Sequence, residues 1–384
     1  MKRAPVPLPP GATIGILGGG QLGRMTAMAA AHLGYRCHVY APDDDSPGMQ
    51  VAAERTVAPY DDAAALTRFA AAVDVVTFEF ENVPAAALDV LAPLVECRPG
   101  VKALAVCQDR LAEKAFLASA GVPVAPWRAV HDRAGLDAAV AALGLPAVLK
   151  TTRMGYDGRG QAVLRDAADL DAAWDRLNPK PLILEAFVSF EAEISAIAAR
   201  GLDGCTASWD AAENRHRHHI LDLSFAPARV PASVAEAARA HAERVAEALE
   251  LVGVVAVEFF LLPGGALLGN EIAPRPHNSG HWTLDACQVS QFQQQVRAVA
   301  GLPLGTTDRL GDAVMRNLIG PEGTSAWEAL AGVPTVSLHS YGKKTPAPGR
   351  KMGHATLVLP RDALSRRPEA EILAALERVA APPQ

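Results

Sequence analysis

Aromatic residues make up only 5% of this chain, and its five cysteines (Cys37, Cys97, Cys107, Cys205 and Cys287) are scattered with no C-x-x-C pair. Such cysteines offer neither a disulfide framework nor a zinc site. No basic tract offsets the formal net charge of -6. That argues against nucleic acid as a main partner, but leaves room for a small anion held by local cations. Long hydrophobic runs are missing as well. The most apolar stretch, 251–268, is broken by Glu258 and by Pro263-Gly264-Gly265, so no membrane span fits. Residues 1–11 are proline-rich, without an apolar segment. They read as an exposed tail rather than a signal peptide, and a cytoplasmic protein is expected.

What remains is a 384-residue chain, 50% hydrophobic and 20% charged, too long for one ordinary core. A strand at 12–17 runs into Gly18-Gly19-Gly20-Gln21-Leu22-Gly23, then a helix, then a second strand at 36–40. This βαβ start carries a G-x-G-x-x-G loop, which either binds an anion at the helix N-terminus or simply packs helix on strand. Asp43, near the end of the second strand, keeps a dinucleotide open. The strand at 73–78 ends at Glu79, where parallel sheets place ligands. Glu79 is therefore a candidate site residue, with a solvated turn carboxylate as the alternative.

Further on, an apolar run delivers Lys150 into Thr151-Thr152-Arg153-Met154-Gly155-Tyr156-Asp157-Gly158-Arg159-Gly160-Gln161, and a second apolar run leaves it. Glycines let backbone N–H groups close on an anion. The lysine precedes the glycines, unlike a P-loop, and a mobile surface hairpin is the alternative. Helices at 135–143 and 167–177 and a strand at 182–187 complete a small α+β module. Glu185 interrupts an apolar run and needs a buried partner, either a ligand group or a protein arginine. Glu193 and Ser195 share a face of the next strand. The histidines around His216 read as a solvated face rather than a metal site.

Residues 253–276 carry the most information. Strand, Pro263-Gly264-Gly265 turn and returning strand form a hairpin, and symmetry about the turn puts Glu258 opposite Glu271. Two carboxylates facing each other in an apolar hairpin repel, so they need a shared proton or a cation between them. Hard oxygen ligands point to magnesium or manganese. Asn270 alternates to the other face in an ideal strand. A register shift exposing one carboxylate is the alternative. Arg275, His277 and Asn278 follow in a proline-bracketed loop, where Arg275 could hold a planar oxyanion. Near the C-terminus, Lys343, Lys344, Arg350 and Lys351 surround a Pro/Gly turn, as a phosphate clamp or a solvated tip.

This order, Rossmann-like half, lysine-plus-glycine module, carboxylate hairpin, resembles the ATP-grasp superfamily. Four strings, at 19–25, 155–161, 270–282 and 348–354, together closely resemble the 5-(carboxyamino)imidazole ribonucleotide synthetases of purine biosynthesis, over nearly the whole chain. The resemblance implies α/β and α+β architecture. It comprises an N-terminal Rossmann-like (pre-ATP-grasp) domain at 1–107, an ATP-grasp domain at 108–300 with its lid at about 121–188, and a C-terminal mixed-sheet domain at 301–384 completing the substrate site. It implies ATP and Mg2+ (or Mn2+) as cofactors, aminoimidazole ribonucleotide and bicarbonate as substrates, and a homodimer.

The same resemblance implies that Arg110 and Lys150 hold ATP phosphates and that residues 155–161 close over them. Glu185, Ala186, Phe187 and Val188 then meet adenine, Glu193 meets the ribose, and His216 and Asn270 add nucleotide contacts. Glu258 and Glu271 hold the metal. Arg275, His277, Asn278, Ser279 and Glu79 surround bicarbonate and carboxyphosphate. Tyr156, Asp157, Arg159, Lys343 and Arg350 face the ribonucleotide, whose phosphoribosyl part approaches Gln21 and Leu22. Asp157, Arg275 and Lys343 are the implied catalytic groups. Met154 departs from the family, which has glycine there. Two rival readings are a formate-using glycinamide ribonucleotide transformylase and an NAD-dependent oxidoreductase. The second leaves the carboxylate hairpin unexplained. A catalytically idle scaffold would leave every candidate role unused.

Overall fold

Short valine- and isoleucine-rich runs alternating with alanine-rich helices build the first layer. The computed structural model describes residues 6–155, 160–178 and 180–377. Strands β1 (Thr13–Leu17), β2 (Arg36–Ala41), β3 (Glu54–Val57) and β4 (Val75–Phe78) form a parallel sheet in the order β3-β2-β1-β4. Its inner strands are apolar on both faces, as a parallel sheet under two layers of helix requires. Ile14, Ile16 and Val39 pack with the helices Gln21–His32 and Gln291–Ala300, while Leu17, Tyr40 and Val76 pack with Ala63–Ala72.

The small module is a second sheet. β5 (Trp127–Val130), β6 (Ala147–Thr151), β7 (Gln161–Leu164) and β8 (Leu182–Ala186) pair antiparallel in the order β5-β8-β6-β7. Leu149, Leu164 and Leu184 from its strands meet Leu136 of helix Arg133–Leu143 and Leu170 of helix Asp169–Leu177. Lys150 is therefore fixed near the end of a central strand, with the glycine loop beyond it.

The remaining strands make one nine-stranded antiparallel sheet. They are β9 (Ala192–Arg200), β10 (Thr206–Ser208), β11 (Ala212–Arg217), β12 (Ile220–Ala226), β13 (Gly253–Leu261), β14 (Leu267–Ala273), β15 (Asp312–Ile319), β16 (Val336–Ser340) and β17 (Lys351–Leu359). The main order is β14-β13-β9-β11-β12-β15-β17-β16, with β10 on β9. Helix Ala232–Ala248 packs Val234, Ala238, Ala242 and Val245 against one face of β9 and β13, at the three- and four-residue spacings of a helical stripe. The C-terminal strands β15 to β17 thus continue the sheet that carries the carboxylate hairpin. The basic turn between β16 and β17 belongs to the same layer.

Candidate active site

A cavity of about 920 Å³ opens between the three layers. At its lid end, Lys150 Nζ donates to Glu185 Oε2 at 2.9 Å, and Lys114 Nζ lies 3.5 Å from the same oxygen. The buried partner expected for Glu185 is thus a pair of lysines and not an arginine. Burial pushes the Glu185 carboxyl up, but Lys150 and Lys114 outweigh it and hold the group at about 2. Lys150 is lowered, chiefly by burial, with the neighbouring charges of Lys114 and Arg110 adding to it against the pull of Glu185. Glu185 Oε1 is buried without a hydrogen-bond partner, which leaves an acceptor for a ligand. Lys114 was not singled out from sequence. It sits on the helix Arg110–Ser119, far from any motif, and only the tertiary contact reveals it.

At the far end, Glu258 pairs directly with Glu271 across β13 and β14, as hairpin symmetry predicts. The ladder then shifts: Phe259 faces Gly269, so Asn270 is an extra residue in a β-bulge. This corrects the ideal alternation. A bulge turns two successive residues toward one side, and Asn270 lines the cavity together with Glu271 and Glu258. Burial first, then the neighbouring Glu271, raises the Glu258 carboxyl to about 7. Asn270 Oδ1 is buried and has no partner. Two crowded carboxylates and an orphaned amide oxygen form an all-oxygen donor set, which fits a hard divalent cation.

Between the two ends, Arg110 Nη1 lies 3.6 Å from Glu271 Oε2, and its Nη2 donates to the Gly155 carbonyl at 3.3 Å. Arg275 donates from Nε and Nη2 to the two oxygens of Glu81 at 2.5 and 3.2 Å. The fork that could hold a planar oxyanion is therefore occupied by a protein carboxylate, which fixes the guanidinium in the cavity wall. Glu81 went unnoticed in the sequence, although it lies two residues from Glu79 on the same turn. His277 Nε2 stands 3.5 Å from Glu258, and its Nδ1 meets Ser279 Oγ at 2.8 Å. Burial, then Arg275, pushes the His277 imidazole well below its ordinary range. Ser279 is itself buried and bonds Ser195 Oγ at 2.7 Å, so it supports His277 from beneath and does not line the cavity. On β11, His216 Nδ1 meets Glu193 Oε2 at 2.6 Å, and both line the cavity. Burial lowers the His216 imidazole, but the Glu193 contact outweighs it and the net shift is upward.

The first glycine loop has its own anion. Glu79 accepts hydrogen bonds from Gly20 N at 2.5 Å and Gly23 N at 2.7 Å. A Cβ on Gly20 would stand 2.4 Å from Glu79 Oε1, so a side chain there would push the carboxylate out of its bonds to the loop. A dinucleotide phosphate would have to displace that carboxylate, which removes the structural basis of the NAD reading. Gln21 and Leu22 still line the cavity. Lys343 lies outside its lining, over the Tyr341 ring at 5.5 Å, with Nζ donating to the Lys351 carbonyl at 2.7 Å. Burial, then Arg350, lowers Lys343 to about 8. Arg350 donates to the Thr345 carbonyl. Lys351, one of the four cations of the basic turn, does line the cavity, as do Asn278, Gln161 and 185–188. Gly160 has φ +72, and its carbonyl accepts from Thr151 N. Met154 has φ +61, a left-handed backbone that disfavours a side chain by about 1 kcal/mol. Tyr156, Asp157, Gly158 and Arg159 lie outside the described residues.

A lysine-bearing antiparallel lid facing a carboxylate hairpin, behind a Rossmann-like layer, defines an ATP-grasp enzyme. Residues 115–292 match the ATP-grasp domain, 11–108 the ribonucleotide synthetase preATP-grasp domain, and 313–367 the phosphoribosylaminoimidazole carboxylase C-terminal domain. The N5-carboxyaminoimidazole ribonucleotide synthase of Brucella melitensis is 52% identical, over 92% of this chain and 98% of that protein. The Bacillus subtilis enzyme of the same name is 45% identical over 91% and 92%. An ADP complex of such a synthetase superposes with a TM-score of 0.91 at 42% identity, over 99% and 100% of the two chains. The Aspergillus clavatus enzyme with ADP and 5-aminoimidazole ribonucleotide gives 0.89 at 31%, over 96% and 99%. The chain belongs to the N5-carboxyaminoimidazole ribonucleotide synthetase family, ATP-dependent carbon–nitrogen ligases of purine biosynthesis.

Proposed function

We propose that this protein uses ATP and bicarbonate to carboxylate the exocyclic amine of 5-aminoimidazole ribonucleotide, by way of carboxyphosphate. The observation that carries the reading is one cavity lined at one end by Lys150 and Glu185, and at the other by Glu258, Asn270 and Glu271. Glu185 Oε1, with 186–188 beside it, receives the adenine amino group. Glu193, with His216, receives the ribose. Lys150 and Arg110 hold the phosphates, where their charge offsets that of the transferring phosphoryl group. A divalent cation, magnesium or manganese, held by Glu258, Glu271 and Asn270, would supply further neutralisation of phosphate charge. Arg275, oriented by Glu81, lies with His277 and Asn278 beside bicarbonate. His277 with a depressed pKa is neutral at pH 7, so it serves as a hydrogen-bonding group rather than a fixed cation. Glu79 stands with Arg275, His277 and Asn278 on the bicarbonate side, Lys343 attends the ribonucleotide together with Gln21, Leu22 and Arg350, and the family roles of Tyr156, Asp157 and Arg159 carry over with this reading.

The direct test is phosphate release from ATP. It should require both bicarbonate and aminoimidazole ribonucleotide. Release in the absence of either, or with formate and glycinamide ribonucleotide in their place, would overturn the assignment. The reading includes domain boundaries near 107/108 and 300/301, a homodimer and a cytoplasmic location. None of the helices among the described residues is long and apolar enough to cross a membrane.

A further inference from the structure

We propose that Glu113 and Lys114, neighbours on the helix Arg110–Ser119, are positioning residues that hold the bulge of β14 and so aim Asn270 and Glu271 into the cavity. β14 is the edge strand of the large sheet, so no further strand satisfies its outward backbone groups. Those groups are taken up one by one. Gly269 N donates to the Pro123 carbonyl at 2.6 Å. Lys114 Nζ donates to the Asn270 carbonyl at 2.8 Å and reaches that of Gly269 at 3.4 Å. Glu113 Oε1 accepts from Ile272 N at 2.6 Å. Two consecutive side chains thus grip the backbone on either side of Glu271.

Both are almost fully buried, with relative exposures of 2% and 1%. Buried polar groups are not left in a core without partners, because desolvation penalises them heavily. Here their partners are the backbone groups of a bulge, where the ladder is locally broken. Arg110, one turn earlier on the same helix face, adds the contact to the Glu271 side chain. Lys114 also lies 3.5 Å from Glu185 Oε2, so the same lysine touches the nucleotide end and the carboxylate end of the cavity. A purely apolar cover over β14 would bury the strand equally well but would satisfy none of these groups.

This inference rests on the reading of Glu258 and Glu271 as metal ligands, and the experiment separates the two. Mn2+ binding to the ADP-saturated full chain is measured from the paramagnetic resonance signal of free Mn2+. Wild type is first compared with Glu271→Gln. Equal Mn2+ affinity in those two overturns the metal reading and this inference with it. Where Glu271→Gln binds more weakly, Lys114→Met and Glu113→Leu should each weaken Mn2+ binding about tenfold or more, as loss of groups supporting a metal ligand does. The KM for aminoimidazole ribonucleotide should stay within about twofold in both, since neither residue is among the groups assigned to the ribonucleotide. Glu113→Gln retains an oxygen to accept from Ile272 N and should restore wild-type Mn2+ affinity. A lowered melting temperature with unchanged Mn2+ affinity in Lys114→Met means a merely structural role and overturns the proposal. So does Glu113→Gln binding Mn2+ about tenfold more weakly than wild type. Should Glu113→Leu fail to fold, Lys114→Met and Glu113→Gln decide the matter by the same readings.

Discussion

Two buried glutamates sit at opposite ends of one cavity, and their surroundings have opposite signs. Glu185 faces Lys150 and Lys114 and is held at about 2; Glu258 faces Glu271 and is pushed to about 7. Burial disfavours the charged form at both ends, so the difference lies in the neighbours. The lid end carries its compensating cations within the protein. At the hairpin end Arg110 lies 3.6 Å from Glu271 and His277 3.5 Å from Glu258, yet these do not offset burial and the like charge at Glu258.

The sharpest way to break this contrast is to make one chemical change at both ends. Glu185→Gln leaves two lysines buried without their carboxylate and should destabilise the protein by about 3–5 kcal/mol, read by urea unfolding. Unchanged stability would mean that the pair is not buried as described. The same interaction can be approached by acid. The folded pKa of Glu185 lies below its unfolded value of 4.5, so its contribution is fully present above that pH and is lost as pH falls toward about 2. The loss should be on the order of 3 kcal/mol. Glu185→Gln should flatten that part of the acid unfolding profile.

At the other end, Glu271→Gln should lower turnover by about a hundredfold, equivalent to about 2.7 kcal/mol of barrier, with ADP still bound in the absence of metal. An unimpaired variant would refute the metal assignment. Smallest of all, Glu258→Gln should stabilise the metal-free protein, by roughly 1 kcal/mol, because it removes a like-charge contact. Destabilisation there would show that the two carboxylates already share a proton in a favourable hydrogen bond. Opposite signs of stability change for Glu185→Gln and Glu258→Gln are the signature of the comparison.

Much of this was legible in the chain. The register that opposes Glu258 and Glu271 follows from a hairpin symmetric about Gly264-Gly265, because side-chain pairing across a tight turn is local. The glycine loops, Lys150 and the strands that flank them follow from similarly local patterns. Ideal alternation turns Asn270 to the other face, because a single-residue bulge has no clear signature in an otherwise regular strand; only the resemblance pointed it to the site. Glu185 was expected to need a buried partner, but the identity of that partner depended on a helix some seventy residues earlier in the chain. Arg275 was visible as a cation in a rigid loop; that Glu81 would occupy its fork was not, since the two are 194 residues apart.

By itself the sequence determined the layers, the hairpin and the family, because periodicity, turn chemistry and motif order are properties of neighbouring residues. Tertiary structure alone decided the distribution of charge. Which glutamate meets lysines, which meets another glutamate, and which glycine amides are closed by Glu79 all depend on distances between remote segments. Since burial amplifies each of those contacts, the electrostatics of the cavity could be read only after the chain had been folded around it.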